Sequence, residues 1–143
     1  AKTKIVNDGC FISNQVKYAI ALELKNKIAE IDIAKSKKQS EIKEFTAKYA
    51  EFHSQGKTEE RLNLCRSMQK KYPNDETVRY YLMQALQSGH KDERFDEIVM
   101  LGEELIKSAN MEYKTGAIRT LCFTYLRKGN RAKALQYADM KNT

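Results

Sequence analysis

The stretch Gly129-Asn130-Arg131-Ala132-Lys133-Ala134-Leu135-Gln136-Tyr137-Ala138 opens on a helix breaker and continues as a run of good helix formers. Two earlier glycines do the same. Gly56 precedes Lys57-Thr58-Glu59-Glu60-Arg61-Leu62, and Gly89 precedes a charged loop that leads into Phe95-Asp96-Glu97-Ile98-Val99. The three glycines are spaced 33 and 40 residues apart. Around them the apolar residues recur every three or four positions, which predicts helices over 58–71, 78–86, 95–106, 117–127 and 132–140. Thr58 is the expected cap of the first, with Glu59 and Glu60 placed where exposed amides attract negative charge. Tyr72-Pro73-Asn74-Asp75 closes that helix and opens the next, because Pro cannot continue a helix and Asn or Asp caps one.

Pairs of helices repeating near 34 residues are the signature of a tetratricopeptide (TPR) array. Residues 56–75 look like the second helix and closing turn of such a repeat, residues 95–105 resemble the same helix one repeat on, and residues 129–138 match best. Ala134 stands at the small-residue position where neighbouring helices touch. Several positions depart from the pattern. Arg61 and Ile98 replace Ala, Met83 replaces a small residue, Gly102 interrupts the middle repeat, and the loop 89–94 is long. The expected fold is all-α: a TPR-like right-handed superhelix of antiparallel hairpins over 41–140, about 2.5–3 repeats, preceded by an N-terminal helix.

Upstream, residues 1–12 read as an irregular start, with a turn signal at Asn7-Asp8-Gly9. The chain begins at Ala1 without Met, which reads as a start inside a longer protein. From Ser13 or Asn14, either of which is suited to cap a helix, a stripe of Val16, Ile20, Leu24, Ile28 and Ile31 runs along one helix face, with Lys17, Glu23, Lys25, Lys27 and Glu30 between. The pattern thins at 35–39 and resumes with Ile42, Phe45, Tyr49 and Phe52. One long helix and two helices joined by a polar hinge, with a boundary near residue 40, both fit. The stripe is the candidate dimer seam; folding back as a cap on the first hairpin is the alternative.

Composition narrows the function. One Pro and six Gly in 143 residues are too few for the turns of a β-sandwich. No apolar run approaches the roughly 18 residues that cross a membrane. Three cysteines, odd in number and far apart, fit a reducing, cytoplasmic setting. The net charge of +7 is spread as +3 over 1–56, +2 over 57–75 and +2 over 76–143. That scatter argues against a phosphate-binding face, which needs gathered cations.

No constellation calls for catalysis, a metal or a cofactor. His53 and His90 lie on different segments without ligand spacing. Cys65 and Cys122 fall on apolar faces, as small buried hydrophobes do. Acidic pairs such as Glu103-Glu104 suit exposed helix faces. Tyr72, Tyr81, Tyr125 and Tyr137 are expected to pack between hairpins. In a TPR stack the first helix of each hairpin lines the concave face, so Tyr80, Gln84, Gln87, Arg119, Phe123 and Arg127 are the candidate ligand contacts.

The wider order of features, a long charged helix, Tyr72-Pro73-Asn74-Asp75, and the run 117–138 (AIRTLCFTYLRKGNRAKALQYA), resembles the C-terminal half of bacterial (Firmicute-type) XRE-family transcriptional regulators. The resemblance implies a non-catalytic sensor or dimerisation domain, a homodimer with a peptide or protein ligand. It also implies DNA contact only through a helix-turn-helix upstream of Ala1. A freestanding TPR adaptor is the alternative.

Overall fold

The computed structural model describes the backbone of residues 2–140 and the side chains of residues 13–140. Among the described residues it is all-α, without strands. The helices are α1 (Lys2–Ser54), α2 (Thr58–Lys71), α3 (Glu76–Leu86), α4 (Phe95–Leu105), α5 (Met111–Arg127) and α6 (Arg131–Met140), with a 3-10 turn at Asp92–Arg94. None is long and apolar enough to cross a membrane. Two units divide the chain, Ala1–Lys43 and Glu44–Thr143.

The first unit is helix throughout its described length. The stretch 1–12, read as irregular, is helical from Lys2, and helix also runs through 13–14 and 35–39, where a cap and a hinge were expected. Turn-forming residues impose only a modest local cost, and a helix already propagating on both sides absorbs it. The side chain of Cys10 lies outside the described residues.

The second unit begins with the last turns of α1 and continues through α6. Gly56, Gly89 and Gly129 end their helices at φ 70°, 80° and 80°, the left-handed region that glycine enters without steric cost. Asp75 caps α3, its side chain accepting from the Val78 amide at 3.1 Å. α2 differs from expectation: Lys57 holds the cap position without a side-chain hydrogen bond, and Thr58 is already helical. α5 starts six residues earlier than its apolar pattern suggests, at Met111, because the Asn110 side chain accepts from the amides of Glu112 and Tyr113 at 3.0 and 3.2 Å. An Asn cap ahead of a polar first turn leaves no periodic signal.

Consecutive helices from α2 to α6 pack against each other, and alternate helices also meet. Arg66 of α2 forms a bidentate pair with Glu97 of α4, 31 residues on, with one arm at 2.9 Å. The Tyr137 hydroxyl of α6 donates to Glu103 of α4, 34 residues away. Thr77 of α3 and Tyr113 of α5, 36 residues apart, share a hydrogen bond of 2.9 Å. The odd-numbered helices therefore neighbour one another, as do the even-numbered ones. Between these two rows lies the core, which includes Phe45, Cys65, Leu82, Met83, Leu86, Leu101, Leu105 and Leu121.

Gly102 does not interrupt the packing. It is buried against α5, and a methyl group on it would sit 2.8 Å from Leu121 Cγ and Cδ2. Ala134 is likewise buried. Expected outcome: Gly102→Ala lowers stability by about 1–3 kcal/mol, because the overpacked site must push aside a fully buried leucine. Urea unfolding checks it; an unchanged midpoint would mean that the α4–α5 contact is looser than described.

Candidate functional site

Tyr80 and Tyr81 are adjacent on α3, their rings meet edge-on with centroids 5.6 Å apart, and each also reaches a different neighbouring helix. Tyr81 meets Phe45 and Tyr49 of α1 edge-on, with ring centroids 5.6 and 4.7 Å apart. Tyr80 stacks on Tyr113 of α5 at 4.7 Å. Gly116 makes room for that ring: a Cβ there would meet Tyr80 Cε2 at 2.8 Å. The two helices thus lie side by side along their lengths, and an open cleft of about 170 Å³ runs between them, lined by Tyr80, Gln84, Gln87, Gly116, Arg119, Thr120 and Phe123.

Five of the six groove candidates line this one cleft. The sixth does not. Arg127 lies two turns beyond Arg119 at the end of α5 and borders a separate small cavity with His90, Lys91, Thr124 and Lys128. The helix axis carries the later residue of the face away from α3, which has already ended at Leu86. Gly116 and Thr120 belong to the cleft and were not singled out. The spacing of four between Gly116 and Thr120, on the same face as Phe123, was the available signal.

The cleft mixes polarity. Phe123 is 58% exposed. Arg119 is exposed and forms no salt bridge among the described residues. Burial raises the Tyr80 hydroxyl pKa, as does nearby Glu112, while Arg119 and a hydrogen bond with Gln84 act in the opposite direction. At about 170 Å³ the space is smaller than the several hundred Å³ of small-molecule sites.

A second polar arrangement, which the sequence did not reveal, surrounds Arg61. Only 5% of this residue is exposed. Its guanidinium donates to His53 Nδ1 and to the Ser88 hydroxyl and lies 5.2 Å from the Tyr49 ring centroid. Because Arg can only donate, His53 accepts through Nδ1 and carries its proton on Nε2. The arrangement ties the ends of α1 and α3 to the start of α2. The remaining expected packing tyrosines border the core: Tyr137 is buried, and Tyr125, between Phe95 and Tyr137 at 5.3 and 5.6 Å, and Tyr72 are partly buried against the two clusters.

In the first unit, Val16, Ile20, Leu24, Ile28 and Ile31 are each 52–58% exposed. A second line of exposed apolar residues, Tyr18, Leu22 and Ile33, follows another face of the same helix. Among the described residues no three potential metal ligands cluster. No protein-family model matches the chain, and no curated protein or solved structure matches it either.

Cys65 is fully buried, and burial pushes its thiol from 9.0 up to about 12, against the opposing pull of Arg61 and Arg66. Burial likewise raises Tyr49 from 10.0 to about 12, with Arg61 opposing. Both groups hold their protons more tightly when folded, so the unfolded chain releases them first as pH rises. Stability from this source is complete below about pH 9 and is lost between pH 9 and 12. Urea midpoints measured across that range should fall, and in Cys65→Ala the fall should begin about one pH unit later, when the tyrosines take over. A flat profile to pH 11 would contradict the burial of both groups.

Proposed function

We propose that the second unit is a TPR-like, right-handed stack of antiparallel hairpins that binds a segment of a partner polypeptide without catalysing a reaction. The observation that carries this is the cleft, where an exposed aromatic face, a guanidinium in no salt bridge among the described residues and two primary amides line the space between α3 and α5. Gln84 and Gln87 offer donors and acceptors to a peptide main chain, Phe123 an apolar surface, and Arg119 a cation. The repeat reading is supported by side-chain contacts between alternate helices at separations of 31, 34 and 36 residues, close to the TPR period. Peptides selected from a random displayed library on the intact chain should lose at least about tenfold in affinity with Phe123→Ala or Arg119→Ala, as central interface residues do. Peptides that bind both variants as tightly as the original chain would remove the cleft from consideration.

The long N-terminal helix favours one biological setting over another. An exposed stripe four turns long is the kind of surface that soluble proteins cover, and a second copy can cover it with its own stripe. Together with the resemblance to XRE-family regulators, this supports reading the chain as the sensor and dimerisation half of such a regulator, with DNA contacted only by an upstream helix-turn-helix. The freestanding cytoplasmic adaptor is the alternative, and a start codon close to Ala1 in the coding sequence would favour it. The homodimer has its own test. Sedimentation at micromolar concentration should give a dimer for the original chain and a monomer for the Leu24→Glu, Ile28→Glu double variant. A monomer in both cases would sink the pairing.

A further inference from the structure

We propose that the cavity between the turn after α3 and the end of α5 binds the oxygen atoms of one anionic group, a phosphate or a carboxylate. Thr124 is one of its lining residues. It is only 3% exposed, and its hydroxyl has no hydrogen-bond partner. Buried hydroxyls almost always have one, and in a helix the carbonyl four residues back commonly serves. Here the side chain borders a cavity of about 30 Å³, room for an oxygen-sized group.

The walls are cationic. Lys91 comes from the loop, Arg127 and Lys128 from the end of α5, and Asp92 is the one carboxylate among the lining residues. None of the three cations forms a salt bridge among the described residues. Lys128 is steered to the site by the Phe95 ring, with Nζ 5.0 Å from its centroid. His90 also lines the cavity, on a backbone with φ 51°. Three cationic residues and a residue whose hydroxyl lacks a partner line one cavity, a set of donors matched to an oxyanion. An apolar or cationic occupant would leave all of them unanswered. Lysine and arginine at the end of α5 also complement its dipole, but that role explains neither Lys91 nor the unpartnered hydroxyl.

Amide spectra of the intact chain, titrated with sodium phosphate, sodium acetate or sodium chloride at matched ionic strength, decide the matter. Saturable shifts in residues 90–92 and 124–128 with phosphate or acetate, absent with chloride, are expected. Phosphate alone acting would identify a phosphate group, and acetate alone a carboxylate. Lys91→Ala combined with Arg127→Ala should weaken the response at least about tenfold, the loss of one or more charge-assisted bonds. Thr124→Val separates binding from folding: it should unfold at the same or a higher temperature, having lost an unpartnered hydroxyl, yet bind severalfold more weakly. Equal responses to all three salts, or a phosphate response untouched in the Lys91/Arg127 variant, would overturn the site and leave a water-filled cavity.

Discussion

Adjacent aromatic residues on one helix, Tyr80 and Tyr81, hold α3 between its two parallel neighbours. Their rings meet edge-on, and from there one packs on Phe45 and Tyr49, the other on Tyr113. Each contact is a favourable edge or offset arrangement of the kind worth up to about 1.5 kcal/mol beyond area burial. The seam sets the spacing of the row, and the spacing sets the cleft. With Tyr80 lying on Gly116, the faces of α3 and α5 that follow are splayed enough to leave Gln84, Gln87, Arg119 and Phe123 facing open space. The same two tyrosines therefore serve packing and define the candidate binding surface.

The even-numbered helices are joined differently. Arg66–Glu97 and Tyr137–Glu103 are polar links at the margins of a hydrophobic contact, and the Arg66 guanidinium is held more firmly protonated by its carboxylate partner. The tight approach of α4 to α5 rests on Gly102 and Leu121. Small residues at such crossings allow helix backbones to approach, and a stack of short helices with few long-range loops depends on these crossings for its core. Arg61 meets the related problem of a cation taken out of water without a carboxylate: an imidazole, a hydroxyl and an aromatic face replace part of its hydration, while its Nε stays buried without a hydrogen-bond partner.

The linear distribution of charge leaves the spatial one open. The basic excess is nearly even along the chain, which argues against a phosphate-binding face. In the folded second unit, Lys91 meets Arg127 and Lys128 from a segment more than thirty residues later, beside a buried hydroxyl. Local composition carries no information about such a meeting, because it arises only when the loop after α3 is laid across the end of α5.

The sequence by itself determined the helical class and the punctuation of the second unit. Glycines at 56, 89 and 129 and Pro73 act through backbone conformations that their residue types favour, and Asp75 through a side chain that caps the next helix, so their effect is local and readable. It also marked five residues that share one cleft, since helical periodicity alone puts Tyr80, Gln84 and Gln87 on one face and Arg119 and Phe123 on another. Tertiary structure decided the rest. It decided that Arg127 faces a different cavity, because α3 ends before α5 does. Gly102 became a packing residue, because Leu121 lies across it, and Arg61 could be buried, because His53, Ser88 and Tyr49 arrive from two other helices. Each of these outcomes depends on distance between segments remote in the chain, a quantity that no local pattern encodes.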